Sequence, residues 1–147
     1  MLRVRKMVPE DYGNVYALWM SCTGMGLNDL DDSEEGIRRY LERNPDTCFV
    51  AEEESAIVGV ILSGHDGRRG YIYHTAVAPA RQRQGIGARL VGAAVTAMRS
   101  AGINKAALVV FGRNEAGNAF WERMGFTVRE DILYRNMAFT EIRRIDT

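Results

Sequence analysis

A short glycine-containing stretch, QRQGIG at residues 82–87, has the residue types and the position of a phosphate-binding loop. It lies between a strand-like run that ends at Val77 and an amphipathic run that begins after Gly87. The first turn of a helix leaves backbone N–H groups without partners, and the helix dipole makes that end positive. Glycines let an anion approach the backbone closely. The stretch therefore predicts a phosphate site at a strand-to-helix junction.

Two common phosphate motifs do not fit this loop. A dinucleotide-binding G-x-G-x-x-G loop requires a third glycine, but Leu90 occupies that position, and three antiparallel strands are expected before it. A P-loop requires the sequence Gly-Lys-Ser/Thr, which occurs nowhere in the chain. A purely structural role, in which the glycines allow close packing of the helix against the strand, stays open.

The elements that position the loop follow from the spacing of the apolar residues. Strand-like runs lie at 2–7, 47–52, 56–64, 71–77 and 106–111, and two more close the chain at 127–130 and 133–139. Helix-like runs begin at Pro9, Asp32, Gly87 and Asn114. The predicted order is β-α-α-β-β-β-α-β-α-β-β. This is an α/β (α+β) fold, in which a mixed, mostly antiparallel central sheet of about seven strands is flanked by helices.

Two of these segments carry specific structural predictions. In DSEE (32–35), Asp32 has the position of a helix N-cap, and Glu35 has the position to reach back to the cap. AALVVF (106–111) is apolar without alternation, which predicts a strand that is covered on both faces.

Length and composition indicate one domain, residues 1–147, in a reducing compartment. Basic and acidic residues balance at 19 each, so no net field favours nucleic acid or a membrane as a partner. Cys22 and Cys48 fit no metal-ligand spacing, and no metal is expected. The chain has neither an apolar signal region nor a run long enough to cross a bilayer. We therefore expect a cytoplasmic protein.

Two stretches resemble the signatures of the GCN5-related N-acetyltransferase (GNAT) family. The loop at 82–87 is similar to the family's Q/R-x-x-G-x-G/A signature and follows Val77-x-Pro79 as expected. NEAGNAFWERMGF (114–126) is similar to the second signature, which has an Asn, small residues, an aromatic residue and a terminal Gly-Phe. The predicted element order over residues 2–139 also resembles that of the family. The chain is therefore identified as a member of it.

The resemblance implies that acetyl-coenzyme A binds as a co-substrate. The family separates the strand ending at Val77 from the strand at 108–111, and the pantetheine arm would insert there and pair with the main chain of Ala76 and Val77. Asn114 matches a residue that hydrogen-bonds this arm, and it is equally suited to cap the following helix. The loop that would hold the pyrophosphate, mostly through backbone amides, comprises Gln82, Arg83, Gln84, Gly85, Gly87 and Ala88.

The implied reaction is direct attack of an amine on the thioester, with the oxyanion held by a strand amide near Val77. Many relatives place a tyrosine on the helix after the Asn signature, where it protonates the leaving sulfur. Trp121 stands there in this chain, and an indole cannot give up its proton near neutral pH. Trp121 would then line the cofactor site or pack in the core. Tyr134 is a candidate substitute for the missing acid.

The strand at 71–77 contains no carboxylate that could act as a general base. Its candidate catalytic side chains are Tyr73 and His74. His74 has the ordinary pKa range of a base at neutral pH, but a packed structural role and a water-mediated deprotonation stay open. Strand alternation places His74 on the face opposite Tyr73, unless a bulge changes that parity.

The acceptor site of the family lies near the first two helices and their loop, here GMGLNDLDDSEE (24–35). If Asp29 or Asp31 faces the cleft, a cationic small-molecule amine or a peptide amine is favoured as acceptor. The predicted function is therefore acetyl transfer from acetyl-coenzyme A to an unassigned primary amine. The alternatives are a protein N-terminal acetyltransferase of the ribosomal-protein type and a non-catalytic acyl-coenzyme A binding module. A homodimer is compatible with the resemblance.

Overall fold

A computed structural model, which describes residues 1–146, contains one five-stranded sheet in the order β1-β2-β3-β4-β5. Neighbouring strands β1 to β4 pair antiparallel, and β5 runs parallel to β4. The α/β class with a mixed, mostly antiparallel sheet is thereby confirmed. The strands are β1 (Leu2–Lys6), β2 (Phe49–Glu53), β3 (Ala56–His65), β4 (Gly70–Val77) and β5 (Ala106–Ala107).

Four helices flank this sheet. Short 3-10 turns at Pro9–Asp11 and Pro79–Arg81 precede the first and third of them. The helices are α1 (Tyr12–Ser21), α2 (Glu34–Arg43), α3 (Ile86–Ser100) and α4 (Glu115–Arg123). No helix among residues 1–146 is long and apolar enough to cross a membrane.

Strand alternation divides the core into two layers, one on each face of the sheet. Val60 on β3 points to the layer that contains Val15 and Trp19 of α1, and all three are fully buried. Its neighbour Ile61 points to the other layer, where it joins Leu90 of α3. Each such side chain contributes roughly 1.5–3 kcal/mol by leaving water. The two layers therefore hold α1 and α3 on opposite faces of the same strands.

The predicted count of about seven strands exceeds the five that the structure contains. The AALVVF segment (106–111) pairs with β4 only as far as Tyr71 and Ala107, and Val109 is 60% exposed, so the segment is not covered on both faces. Residues 127–146, the C-terminal segment, form no strand within the described chain. Its exposed apolar side chains include Val128, Ile132, Leu133, Tyr134, Met137 and Phe139. Apolar β-prone sequence indicates a half-buried extended surface and does not specify a pairing partner, which explains both differences.

The C-terminal segment ends against the loop between α1 and α2. The backbone N–H of Arg143 donates to Asp29 Oδ1 at 2.8 Å. The carboxylate of Asp146 accepts from the backbone amides of Met25 and Leu27 at 2.8 and 2.7 Å. Asp29 is thereby used in a structural contact, and the α1–α2 loop is fixed in place beside the sheet.

Candidate functional site

A cleft opens where β4 and the chain after β5 separate. Because their pairing ends at Tyr71 and Ala107, residues 108–111 diverge from the second half of β4. The resulting cavity has a volume of about 1140 Å³. Its walls come from residues 71–75 of β4, from residues 108–111, from α2 and the α1–α2 loop, and from Asn114, Trp121 and Tyr134. Ala76, Val77 and the glycine loop at 82–88 follow this wall in the chain and do not line the cavity. The separation of strands that the family resemblance implied is present here.

The glycine loop lies at the end of β4 and leads into α3. Gly85 is the N-cap of α3 with φ 83°, and Arg83 has φ 63°, so both adopt left-handed backbone. Gly85 provides no side-chain cap, and the first turn of α3 contains no acidic residue. Residues 82–85 and Ala88 are exposed. The positive end of α3 is therefore accessible to an anion from solvent, which is what a bound pyrophosphate requires.

Side chains of the loop brace its conformation. Gln82 Nε2 donates to the carbonyl of Val77 at 3.1 Å, and Arg81 Nε donates to Gln84 Oε1 at 3.0 Å. Arg81 also forms an ion pair with Glu53 on β2. Sequence reasoning missed Arg81 and Glu53, because nothing in the local motif indicates a partner on a distant strand. These contacts hold the loop while its backbone amides stay available.

Gly87 stands where the start of α3 meets α4. A Cβ atom built on Gly87 would lie 3.1 Å from two ring atoms of Phe120. A glycine here thus allows close packing of the two helices as well as close approach of a ligand to the backbone. The packing role of Gly87 is visible in the structure, and its role in binding stays a prediction.

Asn114 caps α4, since its side chain accepts from the backbone N–H of Gly117 at 2.9 Å. It also lines the cleft, so it has the position that contact with a pantetheine arm requires. Trp121 is half-buried and packs edge-on against Phe120 and Phe126, with ring centroids 5.0 and 5.3 Å apart. Trp121 therefore combines packing with a place on the cleft wall.

The three candidate catalytic side chains, Tyr73, His74 and Tyr134, all line the cleft. Burial and the nearby Tyr134 raise the pKa of Tyr73, whose hydroxyl therefore keeps its proton at neutral pH. The same causes raise the pKa of Tyr71, whose ring lies 4.6 Å from that of Tyr73. The cleft thus carries a group of protonated phenols beside one histidine.

A bulge in β4 explains how Tyr73 and His74 both reach the cleft. Tyr73 pairs with Leu62 and Ala76 pairs with Val60, so three steps along β4 match two along β3. The extra residue of a bulge is left out of the ladder and re-aims the neighbouring side chains. The side chains of β4 therefore do not alternate at this point, which is the exception for a bulge that the expectation of alternation allowed.

His74 contacts a buried carboxylate that belongs to the α1–α2 loop. Its Nε2 lies 2.8 Å from Asp32 Oδ1, and the side chains are 16% and 4% exposed. The predicted N-cap role of Asp32 is wrong: Ser33 caps α2 and accepts from the Gly36 amide at 3.0 Å. Both Asp32 and Ser33 have side chains that suit a helix N-cap. Only the fold brings His74 of β4 close enough to contact Asp32, and Ser33 is then the cap.

Two other acidic residues, Asp31 and Glu35, line the cleft, whereas Asp29 is engaged with the C-terminal segment. Asp31 also contributes to the raised pKa of Tyr73. Arg39 and Arg43 line the cleft as well, and Arg39 pairs with Glu35 at 3.7 Å. The cleft is therefore lined by side chains of both charges.

Residues 12–126 match the sequence model of the acetyltransferase (GNAT) family. An acetyltransferase of Sodalis glossinidius (strain morsitans) is 30% identical over 132 residues, covering 90% of this chain and 92% of that relative. The fold is similar to that of the PaiA N-acetyltransferase of Thermoplasma acidophilum, solved in complex with coenzyme A (TM-score 0.77, 20% identity, 88% and 91% coverage). It is also similar to an aminoglycoside acetyltransferase from an uncultured soil metagenomic sample, solved in complex with sisomicin (TM-score 0.71, 21% identity, 95% and 97% coverage).

Proposed function

The chain belongs to the acetyltransferase (GNAT) family, and from this premise we propose that its cleft transfers the acetyl group of acetyl-coenzyme A to a primary amine. The proposal rests on the separation of residues 108–111 from β4, together with the uncapped N-terminus of α3, the helix that follows β4 in the chain. The first feature provides a slot for an extended arm, and the second provides a site for its phosphates.

The residues present fit acetyl-coenzyme A. Backbone amides of Arg83, Gln84, Gly85, Gly87 and Ala88 would hold the pyrophosphate, because this end of α3 is exposed and free of acidic side chains. When bound, the co-substrate supplies a thioester carbonyl that an amine can attack. Asn114 and Trp121 would contact the arm from α4.

The hydrogen bond from Gln82 to the main chain affects how the pantetheine arm could pair with Ala76 and Val77. The carbonyl oxygen of Val77 already accepts from Gln82 Nε2, and the thiol of Cys22 lies 3.6 Å from the same oxygen. A carbonyl has two lone pairs. An N–H group of the inserted arm must therefore share the Val77 oxygen with these two donors, or must displace the side chain of Gln82 or Cys22 from it.

The direct test is release of coenzyme A thiol from acetyl-coenzyme A across a panel of acceptors. The panel contains spermidine, sisomicin, free lysine and a peptide with a free N-terminus, and cofactor binding is measured by calorimetry in the same samples. We expect release with at least one acceptor. Binding without release across the panel would favour the non-catalytic acyl-coenzyme A binding module, and release with the peptide alone would favour the protein N-terminal acetyltransferase.

We further propose that the acceptor is cationic. Asp31 lines the cleft together with Tyr71 and Tyr73, and an ammonium group is attracted both to a carboxylate and to the faces of aromatic rings. Glu35 pairs with Arg39 at 3.7 Å, so Asp31 is the carboxylate on which this proposal rests. A homodimer stays a prediction.

Replacement of Asp31 by Asn tests this charge. We expect the KM for a cationic acceptor to rise about 2–5-fold with little change in kcat, because an exposed ion pair contributes about 0.2–1 kcal/mol. Steady-state kinetics with spermidine measure it, and KM for acetyl-coenzyme A should stay unchanged. Asp46→Asn is the matched control, since Asp46 pairs with Lys6 outside this cleft. An equal rise in both variants would contradict a specific role for Asp31.

A further inference from the structure

We propose that His74 and Asp32 form a proton-accepting pair, in which His74 Nδ1 takes a proton from the acceptor ammonium and Asp32 positions the imidazole through Nε2. The inference rests on the proposed function and assigns the general base that the sequence did not determine. Asp32 would act through His74, so it is a positioning residue.

The first argument is the burial of the Asp32 carboxylate. Asp32 is only 3% exposed, and no lysine or arginine within residues 1–146 forms an ion pair with it. A buried carboxylate is costly unless its oxygens are hydrogen-bonded or paired. Oδ2 accepts from the backbone amide of Asn28 at 2.8 Å, and Oδ1 lies 2.8 Å from His74 Nε2. Each oxygen thus has one donor, and one of the two donors is the cleft histidine.

The second argument is the tautomer that this contact selects. A carboxylate can only accept hydrogen bonds, so the proton of the neutral imidazole must be on Nε2. Nδ1 of His74 then carries the lone pair, and no hydrogen bond to this atom is found among residues 1–146. A free imidazole lone pair on a cleft wall is the group that a general base requires.

The third argument is that the pair is held from several sides. The ring of Trp19 meets the His74 ring edge-on at 5.4 Å, and its Nε1 donates to the His74 carbonyl at 3.4 Å. Tyr12 donates from its hydroxyl to the carbonyl of Asp32 at 2.7 Å. The bulge in β4 turns His74 toward the cleft. Such packing restricts the imidazole to one orientation, which a proton acceptor needs.

The proton balance of the step is complete without any further reactant. His74 Nδ1 takes one proton from R–NH₃⁺ and later passes it to solvent. The freed amine nitrogen forms the C–N bond to the thioester carbonyl, and the C–S bond breaks. The second proton leaves the nitrogen and ends on the departing sulfur, which gives an amide and coenzyme A thiol.

Asp32 is the one charged side chain within residues 1–146 that lies at ion-pair distance from His74. The ring of Tyr73 lies beside the imidazole, with ring centroids 6.2 Å apart. The Asp32 carboxylate is therefore the group that orients the imidazole and selects its tautomer.

The test compares His74→Gln and Asp32→Asn with the control Asp46→Asn, using the panel acceptor that releases thiol fastest. We expect kcat/KM near pH 7 to fall about 10²–10⁴-fold in His74→Gln. In Asp32→Asn we expect kcat/KM to fall about 10–100-fold, with the loss in kcat and little change in the KM for the acceptor, because the imidazole loses the partner that orients it. Affinity for acetyl-coenzyme A should stay unchanged in both, and Asp46→Asn should behave as wild type.

A second measurement is independent of turnover. In the wild-type chain, ¹⁵N NMR of the histidine side chains should show His74 as the Nε2–H tautomer, and Asp32→Ala should remove this preference. A merely structural pair would lower thermal stability in the variants without lowering kcat. Wild-type kcat/KM in His74→Gln, wild-type kcat in Asp32→Asn, or an Nδ1–H tautomer of His74 in the wild-type chain would overturn the pair. No turnover by the wild type with any acceptor would instead defeat the proposed function, and the pair's catalytic role with it.

Discussion

Gly87→Glu is expected to weaken acetyl-coenzyme A binding by at least about 100-fold, which corresponds to roughly 2.7 kcal/mol. Gly87 lies in the first turn of α3, where the backbone amides would hold the pyrophosphate. A carboxylate there would compete for the same amides, and juxtaposed like charges cost several kcal/mol. The new side chain would also press on Phe120, because its Cβ would lie 3.1 Å from that ring.

Calorimetric titration with coenzyme A measures this effect, and circular dichroism shows that the variant is folded. Gly92→Glu is the matched control: it adds the same charge to the same helix, and a Cβ atom at Gly92 meets nothing within 4 Å. Gly92 lies beyond the first turn of α3, away from the amides that would hold the pyrophosphate, so its variant should bind as wild type. Affinity that is equal in the two variants would refute the assignment of the phosphates to the start of α3.

Trp19→Ala is expected to cause the largest loss of stability, about 3–5 kcal/mol. Trp19 is fully buried in the layer between α1 and the sheet. Its removal leaves a cavity, and it also takes away the indole that donates to the His74 carbonyl and packs against the His74 ring. Large-to-small changes lose both the transfer free energy of the side chain and the contacts around the cavity.

Thermal unfolding followed by circular dichroism should show a midpoint lower by roughly 10 °C. Trp121→Ala is the matched control, because Trp121 is the other tryptophan of the chain and is only half-buried. Its midpoint should fall by clearly less. Equal losses in the two variants would mean that burial of the α1 layer does not dominate the stability of the fold.

The conformation of the glycine loop was the most predictable part of the candidate site, because it depends on residues that are neighbours in the sequence. Gly85 and Gly87 stand at a strand-to-helix junction, and an uncapped helix start attracts anions wherever it occurs. The capping role of Asn114 was equally predictable, since a cap accepts a hydrogen bond from an amide only three residues away. The braces that hold the loop were not predictable, because Glu53 lies on a strand whose distance from Arg81 depends on the whole sheet.

The end of the chain shows the opposite case. Residues 127–130 and 133–139 have strand-like sequence, yet they form no strand in the described chain, and instead residues 143–146 bind the α1–α2 loop. β-prone sequence favours an extended backbone, but pairing depends on which edge lies within reach. The acceptor side of the cleft is therefore shaped by contacts between residues more than 100 positions apart.

The sequence by itself determined the order of the first elements, the glycine loop, the family and the set of polar side chains that could do chemistry. These follow from periodicity, backbone freedom at glycine and motif spacing, all of which act over a few residues. Only the tertiary structure decided the partners: the bulge that turns His74 into the cleft, and the α1–α2 loop that places Asp32 2.8 Å from it. An aspartate just before a helix can serve either as the helix cap or as a buried carboxylate with another partner, and the sequence does not distinguish the two roles. The packing of α1 against β4 gives Asp32 the role of a buried carboxylate.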